Sequence, residues 1–273
     1  MAVVNLGFKF DDLISDNRTT VERVSSIKGW QRSTPYPKLT DEQIGLFLIA
    51  CRNDREFAKR TIVMYFETKL GAPEIFRDRN VASEDLRRIA NVVNVAVMPK
   101  RLGGAAVMVA SLKDTNYRNF DFRTYVQLYT MTLESLLYGD PPTNVITVMD
   151  SKGVTLLHMT KMRLKLVKHF ANFNQSGNPP KLGKIYVLNV NYVTYAVVNF
   201  IKPFLQLDVL ENMEMHKANA NLDRFYDCIP RAYLPKELGG ELEPIGFYSE
   251  ENLRRLASLR PYFEALQQQV YET

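Results

Sequence analysis

Apolar positions crowd the segment Tyr192–Leu210. Counting from Val193, residues Ala196, Val197, Phe200, Ile201, Phe204 and Leu205 follow at i+3, i+4, i+7, i+8, i+11 and i+12. That is the stripe of an α-helix. The opposite face is not polar in compensation. It carries Tyr192, Tyr195 and Val198, with Thr194, Asn199 and Lys202 as the strong polar breaks. Pro203 predicts a kink or an end, and Phe204, Leu205, Leu207, Val209 and Leu210 prolong the apolar character. A helix apolar nearly all round is covered on two sides, or lies between a core and a membrane. The pattern leaves two readings open, a central buried helix or a lid over an apolar cavity.

The remaining pattern divides the chain. Up to about residue 75 only helices are predicted. Thr19–Lys28 is amphipathic and closed by Gly29, and Ser33–Pro37 reads as a linker. Thr40 is an N-cap candidate, with Asp41 and Glu42 in the first turn and Ile44, Phe47 and Leu48 at helical spacing. A break at Asn53-Asp54 precedes a helix over Arg55–Lys69, with Phe57, Ile62 and Tyr65 on its apolar face, and Pro73 opens a new segment. Beyond Gly103 strands alternate with helices. The strands are Ala105–Leu112, Asn144–Met149, Lys184–Val190 and Glu211–His216; the helices are Phe122–Tyr138, Thr160–Phe173 and the apolar run. Gln175–Pro180 reads as a turn, and a last helix over Glu250–Val270 is bent at Pro261. Such alternation predicts an α/β fold with crossover connections.

Composition changes this picture little. Apolar residues make up 46 % of the 273 positions and charged residues 24 %, enough for a sizeable core. The formal net charge of +5, dispersed without a Lys/Arg run, fits weak attraction to anionic membranes and argues against nucleic acid. Cys51 and Cys228 form neither a disulfide framework nor a zinc spacing, so a reduced, cytoplasmic setting is expected. Met1–Phe10 lacks the pattern of a signal peptide. There is no G-x-S-x-G, no P-loop and no G-x-G-x-x-G. His158, His169 and His216 stand outside any H-E-x-x-H arrangement, Asp150 before Gly153 reads as turn chemistry, and Cys228 has no base beside it. No catalytic residue, metal or cofactor is therefore expected, and the protein is read as not an enzyme.

Several segments resemble a known family. Asn189–Leu205, ending in Ile201-Lys202-Pro203-Phe204-Leu205, is followed by Met215-His216. Leu234-Pro235-Lys236-Glu237-Leu238-Gly239-Gly240 matches a closing L-P-x-E-x-G-G motif, and Asp150-x-x-Gly153 follows a strand. Together with Asp41–Lys69, these resemble the CRAL-TRIO lipid-binding family, on the side of its tocopherol and retinaldehyde carriers, over roughly residues 20–245. The resemblance implies a mixed sheet with flanking helices and a lid helix over an apolar cavity, preceded by a small all-helical domain. The corresponding division is 1–75, 76–246 and a C-terminal helix over 247–273. It implies a carrier of one hydrophobic molecule: a retinoid, a tocopherol, a carotenoid, a sterol-like molecule or a phospholipid.

Carried over by position, the lid presents Val197, Phe200, Ile201 and Leu205 inward, and the helix before the second strand presents Tyr125, Leu128, Tyr129 and Thr132. The sheet contributes Ile146, Val148, Ile185 and Val187, and Phe170 and Phe173 close one end. Thr132 or Tyr129 is the hydroxyl offered to a polar head. For a phosphoinositide headgroup, Lys181 occupies one expected basic place, while Gly183, Leu210, Asn212 and Ile49 occupy others. Lys184, Lys202 and Lys217 are the remaining candidates for contact with anionic lipids. A transient membrane contact and a monomer are expected. The rival readings are a protein-binding scaffold with the apolar run permanently packed, and a lipid-modifying enzyme using Asp150 or a histidine.

Overall fold

A computed structural model of the chain describes residues 3–272. The helical N-terminal layer begins with α1 (Phe10–Ser15) and α2 (Val21–Gln31). Thr20 caps α2 by accepting the backbone N–H of Arg23 at 3.4 Å. The helix runs past Gly29, where closure is predicted. The buried Gln31 holds the last turn, its amide bonding to Pro37 and Leu39, and this outweighs the roughly 1 kcal/mol that glycine costs in a helix. α3 (Asp41–Ala50) starts at Thr40, as predicted, with Gln43 completing a capping box. Asp54 caps α4 (Arg55–Gly71), whose Ile62 and Tyr65 are buried while Phe57 faces outward. α5 (Pro73–Phe76) follows, with Pro73 in its first turn.

Next come α6 (Glu84–Ala90) and β1 (Val93–Val97), two short elements absent from the sequence reading. β2 (Ala106–Leu112), α7 (Phe122–Ser135) and β3 (Asn144–Asp150) lie where the pattern puts them. α8 (Leu156–Met159) and α9 (Leu164–Asn172) replace the single helix expected over Thr160–Phe173. Phe173 is instead wound into a wide turn of π-helix, Phe173–Gly177. β4 (Lys181–Val190) then leads into α10 (Tyr192–Ile201), a 3-10 turn at Lys202–Phe204, and α11 (Leu207–Glu211). After β5 (Met213–Lys217) and α12 (Asp223–Cys228), the chain ends in α13 (Ile245–Ser258) and α14 (Arg260–Tyr271). The last segment is thus two helices rather than one bent one. Leu259 separates them, and Pro261 sits in the first turn of α14, where a missing N–H is harmless.

Among the described residues the strands form one mixed sheet in the order β1-β2-β3-β4-β5. β1 runs antiparallel to β2, and the other neighbours are parallel. Side chains alternate between the two faces. Val107, Val109, Val148, Tyr186 and Leu188 pack against Phe225, Ile229, Leu234 and Ile245. The L-P-x-E-x-G-G segment secures that layer. Gly239 has φ +72°, and a Cβ on Gly240 would collide with the Leu234 carbonyl. Glu237 accepts the backbone N–H of Ile245 at 2.9 Å, which sets the start of α13.

The helical layer joins the opposite side through a buried ionic cluster. Lys69 lies 2.5 Å from Glu134, and Arg79 pairs with the other carboxylate oxygen. Tyr65 accepts from Lys69 at 2.8 Å. The apolar core around Ile44, Phe47 and Ile62 also takes in Phe122, Leu166 and Val270.

Candidate functional site

The second face of the sheet is not fully covered by packed side chains. Ala110, Thr147, Met149, Ile185 and Val187 form the floor of a cavity of about 270 Å³. α7 supplies one wall with Phe122, Tyr125 and Tyr129, and α8 and α9 supply another with His158, Met159, Val167 and Phe170. The roof is the apolar run: Thr194, Val197, Val198 and Ile201 from α10, then Leu205 and Val209.

The roof forms here for local reasons. Asn191 accepts the backbone N–H groups of Val193 and Thr194 at 2.8 and 3.2 Å, so α10 starts one residue past β4. Pro203 falls in the 3-10 turn and ends the helix. Beyond it, Gln175 of the π turn grips the chain. Its Nε2 donates to the Phe204 carbonyl at 2.8 Å, and its Oε1 accepts from the backbone of Gln206 at 3.0 Å. Phe200, Ile201 and Phe204 lean on the helical layer's core. On the outer surface Tyr192, Tyr195 and Leu207 are exposed, and neighbouring α8 exposes Leu156 and Leu157.

Of the residues proposed from sequence, Tyr125, Tyr129, Phe170, Ile185, Val187, Val197, Ile201 and Leu205 line this cavity. Others lie elsewhere. Leu128 points into the cluster shared with β1, α13 and α14. Thr132 sits on the same side, donating to the Leu128 carbonyl and accepting from Asn252 at 2.8 Å. Ile146 and Val148 face the α12–α13 layer, because Thr147 pairs with Ile185 and Met149 with Val187 on the cavity side. Phe173 packs against Phe76, ring centroids 4.9 Å apart, and Phe200 belongs to the helical layer.

The sequence reading missed Thr147, Met149, His158, Met159, Val198 and Val209 on the cavity wall. For the strand residues the signal lay in register. Once Ile185 and Val187 face inward, their partners on β3 must do so too.

The lining's polarity is sparse. The Tyr129 hydroxyl lies 3.4 Å from Thr147 Oγ1, and burial raises its pKa to about 12, so it stays protonated. Burial pushes the Tyr125 hydroxyl up as well. Of the proposed lysines, Lys181 lies over the Phe57 ring at 4.7 Å and Lys184 pairs with Glu214 at 2.8 Å. Lys202 and Lys217 are exposed. Among the described residues no helix is long and apolar enough to cross a membrane.

The chain has relatives of known sequence and fold. Alpha-tocopherol transfer protein-like of Homo sapiens is 24 % identical over 212 residues, covering 75 % of this chain and 61 % of that protein. Clavesin-1 of Rattus norvegicus is 22 % identical over 214 residues, covering 77 % of this chain and 59 % of that one. The chain therefore spans about 61 % of the length of the first of these relatives. The crystal structure of Sfh5 superposes on all of this chain (100 %) and on 90 % of its own, with a TM-score of 0.52 and 14 % identity, a likeness of fold. Residues 84–240, from α6 to the end of the L-P-x-E-x-G-G segment, match the CRAL/TRIO domain profile, and the chain belongs to that family.

Proposed function

We propose that the protein takes up, holds and releases one hydrophobic small molecule or lipid in the cavity beneath α10, without making or breaking a bond. The observation that carries this reading is an apolar cavity roofed by a helix that also leaves Tyr192 and Tyr195 exposed on its outer face. A permanently packed structural helix would have protein on both sides. Retinoids, tocopherols and related lipids are the ligand classes considered, and the tocopherol in the name of one relative supports that range.

The mechanism is a partition. At a membrane surface the roof opens where Tyr192, Tyr195 and Leu207 leave water for lipid. The ligand enters, and closure buries ligand and roof together. Each Å² of apolar surface withdrawn from water contributes roughly 25 cal/mol. The exposed Lys161, Lys165, Lys168 and Lys202 add attraction to anionic headgroups, about 1 kcal/mol each near such a surface. Lys184 contributes less, because Glu214 already partners it.

Mass spectrometry of an organic extract of the purified protein, followed by titration of the compound found, tests the reading. Leu205→Asp, which puts a carboxylate into the roof, is expected to abolish loading while leaving thermal unfolding close to wild type. Undiminished loading of that variant would rule out this cavity as the site.

A further inference from the structure

One polar atom in the cavity wall has no partner. His158 is 5 % exposed and lines the cavity. Its Nδ1 accepts the backbone N–H of Thr155 at 3.1 Å and lies 2.9 Å from Thr155 Oγ1. A ring nitrogen that accepts from an amide carries no proton, so in the neutral imidazole the proton sits on Nε2. Burial lowers the His158 pKa, in keeping with the neutral form. Nε2 is therefore a donor, and it is enclosed without a hydrogen-bond partner. Among the described residues it is the one such side-chain atom in the lining.

Several other polar groups of the lining are occupied. Ser111 accepts from Asn94 at 3.1 Å, Asp150 accepts from Asn189 at 2.7 Å, and Ser151 donates to the Leu188 carbonyl at 2.5 Å. Thr194 accepts the backbone N–H of Asn191 at 3.2 Å. The histidine ring is also fixed in place. Phe120 and Tyr117 form T-shaped contacts with it, with centroids 5.5 and 6.5 Å away. With Nδ1 turned to Thr155, Nε2 is the ring nitrogen left for a ligand. Buried donors are normally paired, and a lone one in a ligand cavity marks where a ligand acceptor belongs.

We infer that the ligand is an elongated apolar molecule with one oxygen acceptor, a carbonyl, ether or hydroxyl oxygen, held at the α8 end of the cavity by His158 Nε2–H. The inference rests on the carrier reading above. The far end, lined by Leu182, Ile185, Val209 and Met213, takes the hydrocarbon part. His158 is thus a specificity-determining residue, and Thr155 is a positioning residue that fixes its tautomer.

The test uses a matched pair of probes on the full chain. One is a dimethylamino-naphthalene dye with a dodecanoyl ketone, whose emission moves to longer wavelength when its carbonyl accepts a hydrogen bond. The other is the same dye with a plain dodecyl chain. Wild-type protein is expected to bind the ketone about tenfold more tightly than the alkyl dye, the size of one net hydrogen bond. His158→Phe should bind both dyes equally and lose the emission shift. His158→Gln, which retains a side-chain N–H donor, should restore part of the preference. A ketone preference or emission shift that survives in His158→Phe overturns the assignment, as does equal binding of both dyes by wild type. Uptake of neither dye by folded wild-type protein would instead overturn the carrier reading.

Discussion

Glu134 receives two cations inside the protein, and that arrangement governs what its loss does. Burial alone would raise its pKa, but Arg79 and Lys69 together more than offset this and leave it below the usual value. Lys69 yields instead, pushed down to about 8 chiefly by burial. Removing the carboxylate with Glu134→Ala strands both cations and is expected to cost about 3–5 kcal/mol in urea unfolding. The pH dependence follows from the sign of the shift. A carboxylate depressed on folding contributes stability above its unfolded value of about 4.5, lost as pH falls through the lower folded value. Urea midpoints should therefore drop below about pH 4.5, and more steeply in wild type than in Glu134→Gln. None of this was legible in the sequence, because Lys69, Arg79 and Glu134 carry no local mark of one another. Thr147 was hidden differently. A polar residue in mid-strand reads as outward-facing, and the family resemblance put Ile146 and Val148 inward, one position out of phase. Its placement toward the cavity makes sense beside the Tyr129 hydroxyl.

Among the elements, the roof is held by a small polar latch. Gln175 makes both of its bonds to the segment Phe204–Gln206. Gln175→Ala removes two hydrogen bonds worth about 1 kcal/mol each, so release of a bound probe should speed up about tenfold or more in stopped-flow measurements. At the other end, Asn191→Ala removes the cap of α10 and costs that helix about 1 kcal/mol. Hydrogen exchange over 193–201 is expected to quicken while the thermal midpoint barely moves. The roof helix was legible because its periodicity is long and clear, and the strands from β2 onward because they alternate with helices. α6 and β1 were not, since a five-residue apolar strand offers too few repeats to declare its period. The π turn carries the signature of an ordinary turn, because Asn, Ser and Gly between elements give no hint of a wound helix. The C-terminal helices were fused for a similar reason. A proline at a helix start and one at a bend look alike in sequence, so Pro261 carries no mark of the break at Leu259.

For the molecule as a whole, the arrangement of layers followed from the spacing of motifs, while the way they interlock did not. The exposed leucines of α8 beside the tyrosines of α10 make one apolar ledge next to the lysines of α9. Binding to phosphatidylserine-containing vesicles is expected, weakening as salt rises and weakening further in Tyr192→Asp; salt-independent binding would count against a role for the lysines.

The last helix, α14, closes onto the helical layer. Gln43 on α3 and Gln269 on α14 join through their buried side-chain amides at 3.0 Å, and Tyr271 donates to the Lys69 carbonyl. Synthesis proceeds from the N-terminus, so α14 emerges only after the whole sheet. The core around α3 and α4 is consequently completed only once α14 has been made. Until α14 arrives, the pocket for Val270 stands open and Gln43 faces water, which makes the nascent helical layer a surface for chaperones to shield.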